Sequence, residues 1–399
     1  MYAYRVEVTP VAPKLSITMP EVARYDDQNR QFVSVPRGNR WMILMQGNRV
    51  NFGGPLKLSC SDLPPGVTMH APVMAGNVAH VPVVFEAAPD APIGGKLSDL
   101  VAEHAENPAI KGRWQQPVAL VRGDPNGTPY YTTKMNRLAV AVTEEAPFSV
   151  QIVQPKVPLH RDGVMNLKIV ATRKAGWDEE IYVQLPFRPP GLGAQYQMTI
   201  PKGQTELLFP LNAAGNSADG DWPLVIMAFA NVNGGPVFIA SPIATLKIVP
   251  QIVTGQIALA VTEQGQPTEV VVKLAHVTPF EGEAKLELIG LPPGCATAPV
   301  QVKAGQEAAS FKVTTSKDTP VGQHKSLFCQ ISQVKEGEEV RQSLAGGGTI
   351  RVDAPKPAVA AAPQPAAAPA AAAPAQAEAP KKVLSRLEQL RLEQQQKAK

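Results

Sequence analysis

Apolar and polar residues alternate with the two-residue period of a β-strand along much of the chain. Segments 308–314 and 323–333 show this alternation or short apolar runs with β-branched residues, and 138–142, 244–249 and 349–352 are further segments of the same kind. Gly, Pro, Asn and Asp cluster between these segments, as they do at turns. The pattern predicts an all-β protein built from short strands.

Three turn motifs divide this pattern into repeats: Leu-Pro-Pro-Gly at 63–66, Pro-Pro-Gly at 189–191 and Leu-Pro-Pro-Gly at 291–294. Two prolines extend the backbone without ladder donors, and the following glycine tolerates positive φ, so a strand must end at each motif. An aromatic residue precedes each motif and two glycines follow it at similar spacings: Phe52, Gly76 and Gly94; Trp177, Gly203 and Gly220; Phe280, Gly305 and Gly322.

Each repeat is about 100 residues long with closely spaced turns, which is typical of an immunoglobulin-like β-sandwich. We therefore predict three tandem immunoglobulin-like sandwiches at 14–145, 146–250 and 251–353. The first is longer because 102–134, rich in polar residues, Pro and Gly, is predicted to form a long loop. Residues 1–13 are predicted as a leading strand. It fits better as the end of an upstream domain, so we expect the chain to be part of something larger.

The C-terminal segments differ from the repeats in composition. Ala and Pro dominate 354–380, which predicts a disordered, extended linker. In 381–399, Val383, Leu384, Leu387 and Leu390 recur at helical spacing among basic residues, which predicts a basic amphipathic helix. Such a helix either docks on a partner or an anionic surface, or is a solvated terminus.

Composition and charge exclude several classes of protein. The chain of 399 residues is 44% hydrophobic and 18% charged, which supports packed cores, and its 40 prolines fit a turn-rich architecture. The formal net charge of +4 lies in 381–399, which holds six Lys and Arg against two Glu, so the neutral body predicts no nucleic-acid partner. No apolar run reaches the roughly 18 residues of a membrane-spanning helix, and the N-terminus lacks the regions of a signal peptide.

The ordinary signatures of catalysis and metal binding are missing from the sequence. There is no nucleophile elbow, phosphate loop, zinc-protease motif or paired Cys-x-x-Cys. The six histidines are scattered over the repeats without ligand spacing. We therefore predict no enzyme activity, no cofactor and no metal site.

Three weaker candidates for a site leave alternatives open. Asp219 and Asp221 offer oxygen ligands to calcium, although Gly220 between them matches the turn glycines of the other repeats, which favours a turn. Cys295 and Cys329 either form a disulfide inside the third sandwich or pack as buried thiols. Trp114, in a loop-like stretch, is the one tryptophan predicted to contact a ligand.

The repeats resemble the immunoglobulin-like repeats of large secreted bacterial proteins that carry pre-peptidase C-terminal domains. The resemblance covers nearly the whole chain and rests on the three turn motifs and on five further segments: 118–126, 137–142, 186–191, 324–329 and 385–391. It implies an extracytoplasmic protein, secreted or in the cell envelope, whose upstream part would hold the signal peptide and the pre-peptidase domain.

Two functions follow as hypotheses. The first is a non-catalytic spacer, adhesion or protein-contact module of a multidomain protein, with a protein or cell-envelope component as its partner. The second is an accessory region that binds polysaccharide or peptide beside an upstream enzyme, with Trp114 and the 102–134 loop as the contact surface.

Overall fold

The computed structural model describes residues 11–20, 32–123, 128–344 and 346–355. The described residues form β-strands, turns and irregular segments without a helix, so the all-β prediction is confirmed. They belong to one compact unit that ends at Pro355. Most of the predicted leading strand, almost all of the predicted linker and the whole predicted C-terminal helix lie outside the described residues. Within the described part, no helix is long and apolar enough to cross a lipid bilayer.

The strands fall into three consecutive sets. The first strand set comprises β1 (Lys14–Thr18), β2 (Phe32–Pro36), β3 (Arg40–Val50), β4 (Leu56–Ser61), β5 (Val67–His70), β6 (His80–Ala87), β7 (Gly94–His104), β8 (Lys111–Arg113), β9 (Gln116–Gly123), β10 (Thr128–Met135) and β11 (Leu138–Thr143).

The second strand set contains a further eleven strands. They are β12 (Phe148–Ile152), β13 (Leu159–His160), β14 (Gly163–Arg173), β15 (Ile181–Gln184), β16 (Leu192–Ala194), β17 (Gln197–Ile200), β18 (Glu206–Ala213), β19 (Gly220–Leu224), β20 (Met227–Val232), β21 (Gly235–Ala240) and β22 (Ala244–Val249).

The third strand set completes the described chain. It comprises β23 (Val253–Ile257), β24 (Ala260–Glu263), β25 (Thr268–His276), β26 (Glu283–Ile289), β27 (Cys295–Ala296), β28 (Val300–Lys303), β29 (Ala308–Thr315), β30 (Gly322–Lys335), β31 (Glu338–Ser343) and β32 (Gly348–Asp353).

The same strand order recurs in each set. One sheet of each set follows the same path, which is β1-β3-β6-β5 in the first set, β12-β14-β18-β16 in the second and β23-β25-β29-β27 in the third. The opposite sheet follows β2-β11-β7, β13-β22-β19 and β24-β32-β30, and the first two strands of each path run parallel. Alternate side chains of both sheets are buried in a shared apolar core, so the arrangement is sandwich-like.

The turn motifs predicted from the sequence have one geometry. A backbone hydrogen bond closes each turn, from Val67 N to Pro64 O, from Leu192 N to Pro189 O and from Cys295 N to Pro292 O. The motif glycines, Gly66, Gly191 and Gly294, have φ of +77°, +84° and +80°. This is the proline-then-glycine geometry of a type II turn, which confirms the predicted strand endings.

The prediction of a long loop over 102–134 is wrong, because most of this segment is strand. β7 continues to His104, β8 pairs with β7, and β9 and β10 pair with one another as a two-stranded sheet. We call the described residues of β9 and β10 the ribbon. Most of its outer half is exposed on both faces, so the sequence lacks the alternation that marks a strand with one buried face.

Adjacent sets are joined in two different ways. At the first junction, Met42 of β3 and Val84 of β6 pack against Val225 and Ala240 of the second set. At the second junction, β31 of the third set pairs antiparallel with the start of β14, so one sheet runs from the second set into the third. Each set thus has backbone or apolar contacts with the next.

Candidate functional site

Trp114 is not a ligand contact in this structure, since its side chain is fully buried. Its backbone N–H donates to Leu100 O at 2.9 Å, and the next residue bonds to Ile17 O. Gln116 then bonds to Met19 through both its side-chain oxygen and nitrogen. These bonds hold the segment between β1 and β7, where the indole closes the core of the first set. The prediction that Trp114 contacts a ligand is therefore wrong.

Asp219 and Asp221 lie at the start of β19 without converging on a common ligand position. Both Asp219 oxygens accept hydrogen bonds from Arg161, at 2.8 Å from Nε and 2.6 Å from Nη2. Asp221 is exposed and pairs in register with Lys247. Gly220 between them has φ of +131°, a conformation that favours glycine. The ion pair and the turn account for this Asp-Gly-Asp stretch.

Cys295 and Cys329 are free thiols on different sheets of the third set. Cys329 is fully buried opposite Leu288, and burial raises the pKa of its thiol to about 12. Cys295 is half-buried opposite Thr315, and burial raises the pKa of its thiol as well. Both behave as small apolar side chains that are protonated at neutral pH.

A groove of about 910 Å³ lies where the second set meets the third. Its floor is the solvent-facing side of β14 and β18, the face opposite the buried Leu167 and Phe209. Across this face Val164 stands opposite Asn212, Asn166 opposite Pro210, and Lys168 opposite Leu208. Leu208 is 57% exposed and Val164 39% exposed, so the floor offers apolar surface.

The walls of the groove come from three other segments. Val153, Pro155 and Val157 precede β13, Arg188 and Gln195 flank β16, and Glu338, Glu339 and Arg341 belong to β31. The carboxylate of Glu338 accepts hydrogen bonds from the backbone N–H groups of Lys156 at 3.1 Å and Val157 at 3.3 Å. One wall therefore belongs to the third set and is bonded to another wall from the second.

The charges of the groove are largely paired, whereas its amides are not. Lys168 pairs with Glu206 at 2.8 Å and Arg341 with Glu339 at 2.6 Å. Arg188 has no carboxylate partner among the described residues and donates only to Ala194 O at 3.4 Å. The side chains of Asn166, Asn212 and Gln195 have no hydrogen bond within the described part of the chain. The groove can thus offer apolar contact, amide hydrogen bonds and one cation, which is typical of a binding surface.

Next to the groove, the second junction is held by buried polar side chains. Gln342 of β31 is fully buried, accepts from Ile252 N at 2.6 Å and donates to Val253 O at 2.7 Å. His160 Nδ1 is 2.7 Å from Pro250 O. Burial lowers the pKa of His160, the hydrogen bond to Pro250 O acts in the opposite direction, and the charge of Lys335 adds to the lowering.

Sequence reasoning missed the groove residues because they come together from β14, the 188–195 segment, β18 and β31. Their individual patterns are those of the outer side of a strand. The available signal was an apolar residue, Leu208, at a position where alternation expects a polar one. Within the described residues, no group of three or more His, Cys, Asp or Glu side chains could hold a metal ion.

The fold and the groove define an all-β, sandwich-like protein with a polar and apolar surface groove. No protein-family model matches the chain, and no curated protein sequence matches it significantly.

Three solved structures illustrate its structural similarities. A protein of unknown function from Porphyromonas gingivalis W83 matches with 13% identity over 52% of this chain and 100% of that chain, at a TM-score of 0.20. Salmonella alpha-2-macroglobulin reacted with methylamine matches with 11% identity over 86% of this chain and 24% of that chain, at a TM-score of 0.22. The D00-D0 domain of intimin matches with 10% identity over 58% of this chain and 98% of that chain, at a TM-score of 0.18. At these TM-scores the matches carry no functional argument.

Proposed function

We propose that the chain is a non-catalytic structural and interaction module made of three tandem immunoglobulin-like sandwiches. It would belong to a multidomain bacterial protein of the cell envelope or the secreted space, of the group that carries pre-peptidase C-terminal domains. The observation that carries the proposal is the strand order that recurs in all three sets. In this proposal, each strand set is one immunoglobulin-like sandwich. The binding partner of the module is a protein or a cell-envelope component.

The junctions support the role of a spacer with a fixed geometry. At the first, Asn39 Nδ2 donates to Phe148 O at 2.9 Å beside the apolar contact of Met42 and Val84. At the second, β31 adds backbone pairing with β14 and the buried bonds of Gln342. Domains joined by flexible linkers lack such contacts. A module built in this way holds its two ends at a constant separation.

Limited proteolysis of the full chain tests this function. We expect a protease of broad specificity to spare the two connections at 144–147 and 250–252 until the protein unfolds, because buried residues, Ala146 and Ile252, anchor them between paired strands. Early cuts there, releasing separate fragments of the three sets, would refute the fixed spacer. A hydrolytic activity of the pure chain that one substitution abolishes would refute the non-catalytic role.

A second candidate function is an accessory region that binds polysaccharide or peptide. The observation that favours it is the groove with Arg188 and three unpaired amide side chains. Trp114 plays no part in this version, because it is buried. Binding on a glycan or peptide array that is lost in Arg188→Ala would support it. An array without any bound ligand would remove it.

A further inference from the structure

We propose that the groove is the docking site for the ribbon of a second copy of this chain. The inference deepens the proposed function, since it names the partner of an interaction module. It assigns a head-to-tail contact, in which the ribbon of one copy lies on the outer face of β14 and β18 of the next.

The first strand set shows what covers such a face. The β3–β6 face of the first set is the counterpart of the β14–β18 face of the second, because both strand pairs occupy the same place in the recurring order. Met42 and Val84 stand opposite one another there and are 5% and 1% exposed. They are covered by Val225 and Ala240 of the neighbouring set. Val225 lies just before β20 and Ala240 is the last residue of β21, so both belong to the base of the β20–β21 hairpin. A hairpin region of an adjacent sandwich is therefore the element that this face accepts.

In the second set the corresponding face remains open as the floor of the groove. Its apolar residues Leu208 and Val164 are exposed in the single chain. The third set differs, because its counterpart face carries polar pairs such as Glu269 opposite Lys312. On that face of the third set Val271 is 36% exposed, whereas Leu208 and Val164 are 57% and 39% exposed on the second. Among the described residues the second set thus combines more apolar surface on this face with the absence of a covering hairpin.

The ribbon supplies a hairpin of matching character. Leu120, Val121, Tyr130 and Tyr131 are 59%, 52%, 71% and 62% exposed, which places four large apolar side chains on one two-stranded sheet. A two-stranded ribbon is marginally stable in water unless it packs on another surface. Successive residues of a strand point to opposite faces, so each face of the ribbon presents part of this apolar set. We assign the face that carries Tyr131 to the contact with the groove.

The polar groups of the two surfaces are complementary. The tyrosine hydroxyls need hydrogen-bond partners when their rings are covered, and Asn166, Asn212 and Gln195 have amides to offer. The ribbon also carries Lys134, which is exposed and has no carboxylate partner among the described residues. Glu338 lies on the rim of the groove, accepts only backbone N–H groups among the described residues, and can receive this cation.

The contact is heterologous, since the ribbon and the groove are different surfaces of one chain. Two copies satisfy both contacts only if the rotation between them closes; otherwise the contact adds copies one after another. Self-association through it is expected to be concentration-dependent and to need both surfaces.

Sedimentation velocity of the full chain over a wide range of concentrations tests the proposal. We expect the wild type to associate, and Leu208→Asp in the groove or Tyr131→Ser in the ribbon to weaken association about tenfold or more. Two control variants alter exposed apolar residues elsewhere, at Leu259 (65% exposed) and Ile93 (52% exposed): Leu259→Asp and Ile93→Ser. The controls should associate as the wild type does.

A mixture of the two variants distinguishes this contact from its alternatives. Leu208→Asp keeps its ribbon and Tyr131→Ser keeps its groove, so the mixture should regain one contact and form pairs that neither variant forms alone. The regained pairing also shows that both variants are folded. A wild type that stays monomeric at every concentration overturns the proposal. So does association that Leu208→Asp leaves intact, which would indicate pairing of ribbon with ribbon. Neither outcome affects the spacer, which proteolysis tests separately.

Discussion

The position of Trp114 in the structure differs from the one that its neighbours in the sequence indicate. It stands between polar residues, yet backbone bonds to Leu100 and Ile17 hold it inside the first set. Its Nε1 has no hydrogen-bond partner among the described residues. The indole therefore contributes by filling space, at the cost of an unpaired donor.

Two substitutions of Trp114 separate the stabilisation from packing of the indole from the cost of its unpaired N–H. We expect Trp114→Ala to lower the free energy of unfolding by about 3–5 kcal/mol, because a large cavity remains. Trp114→Phe should cost much less, since it keeps most of the ring volume and removes the unpaired N–H, which itself costs about 1–3 kcal/mol. Urea unfolding measures both. Equal losses for Ala and Phe would contradict the packing role.

The glycines of the turn motifs have a second constraint besides their positive φ. A Cβ on Gly191 would lie 2.6 Å from Ser217 Cα, which belongs to the turn after β18. Gly176 has a similar φ of +82°, but nothing lies within 4 Å of its Cβ position. Comparing substitutions at Gly191 and Gly176 therefore separates the effect of backbone strain from the effect of close packing.

We expect Gly191→Ala to destabilise the protein by clearly more than Gly176→Ala. In the Gly176 variant the free energy of unfolding should fall by about 1 kcal/mol or somewhat more, because alanine disfavours the positive φ at this position. The Gly191 variant must also move the turn after β18. Thermal unfolding of both variants measures the difference. Equal shifts would show that the close approach is unimportant.

At the scale of strands and turns, the sequence predicts the features that depend on neighbouring residues alone, such as the ends of strands. The proline and glycine motifs end strands where expected, because the proline ring fixes its own φ and glycine, without a Cβ, permits the positive φ of the turn. The ribbon was missed because neither face of its outer half is buried, so Leu120 and Tyr131 lie in a segment without alternation. The groove was missed because Asn166, Leu208 and Glu338 become neighbours only through pairing between distant strands.

β13 and its neighbour β22 form a short element for which the burial of His160 predicts a pH-dependent stability. His160 ends β13, is 8% exposed and bonds to Pro250 O at the second junction. Burial lowers its pKa in the folded state, so folding favours the neutral ring. The resulting contribution to stability is complete above the unfolded pKa of about 6.5 and is lost as the pH falls below it.

We therefore expect His160→Gln to reduce the loss of stability between neutral pH and about pH 5. The measurement is the urea midpoint of wild type and variant across this range. His324→Gln is the matched control, since His324 also bonds to a proline carbonyl, Pro320 O, but lies away from the junction. A pH dependence that His160→Gln leaves unchanged would contradict the assignment.

At the scale of the whole molecule, the second and third sets share a sheet and the buried bonds of Gln342. The fully buried Gln342 side chain is bonded to backbone groups of Ile252 and Val253, where the connection between the two sets enters β23. We expect these sets to unfold together, because opening one exposes polar groups that the other satisfies.

The substitution Gln342→Leu should uncouple them. It leaves the N–H of Ile252 and the carbonyl of Val253 without their partner, which costs about 1–3 kcal/mol for each unsatisfied group. Calorimetry should then show an added transition at lower temperature. Gln323→Leu, an exposed glutamine of β30, is the control. An unchanged single transition in Gln342→Leu would show that the sets are not coupled there.

The parallel pairing of the first two strands in one sheet of each set has a mechanical consequence. β2 and β11, β13 and β22, and β24 and β32 run side by side near the entry and exit of the chain. Tension applied through the two ends of a set slides such strands lengthwise, so their hydrogen bonds resist together and do not open one after another. The pairs span five, two and four residues in the three sets. Of these three pairs, the two-residue pair of the second set should therefore be the first to separate when the chain is stretched.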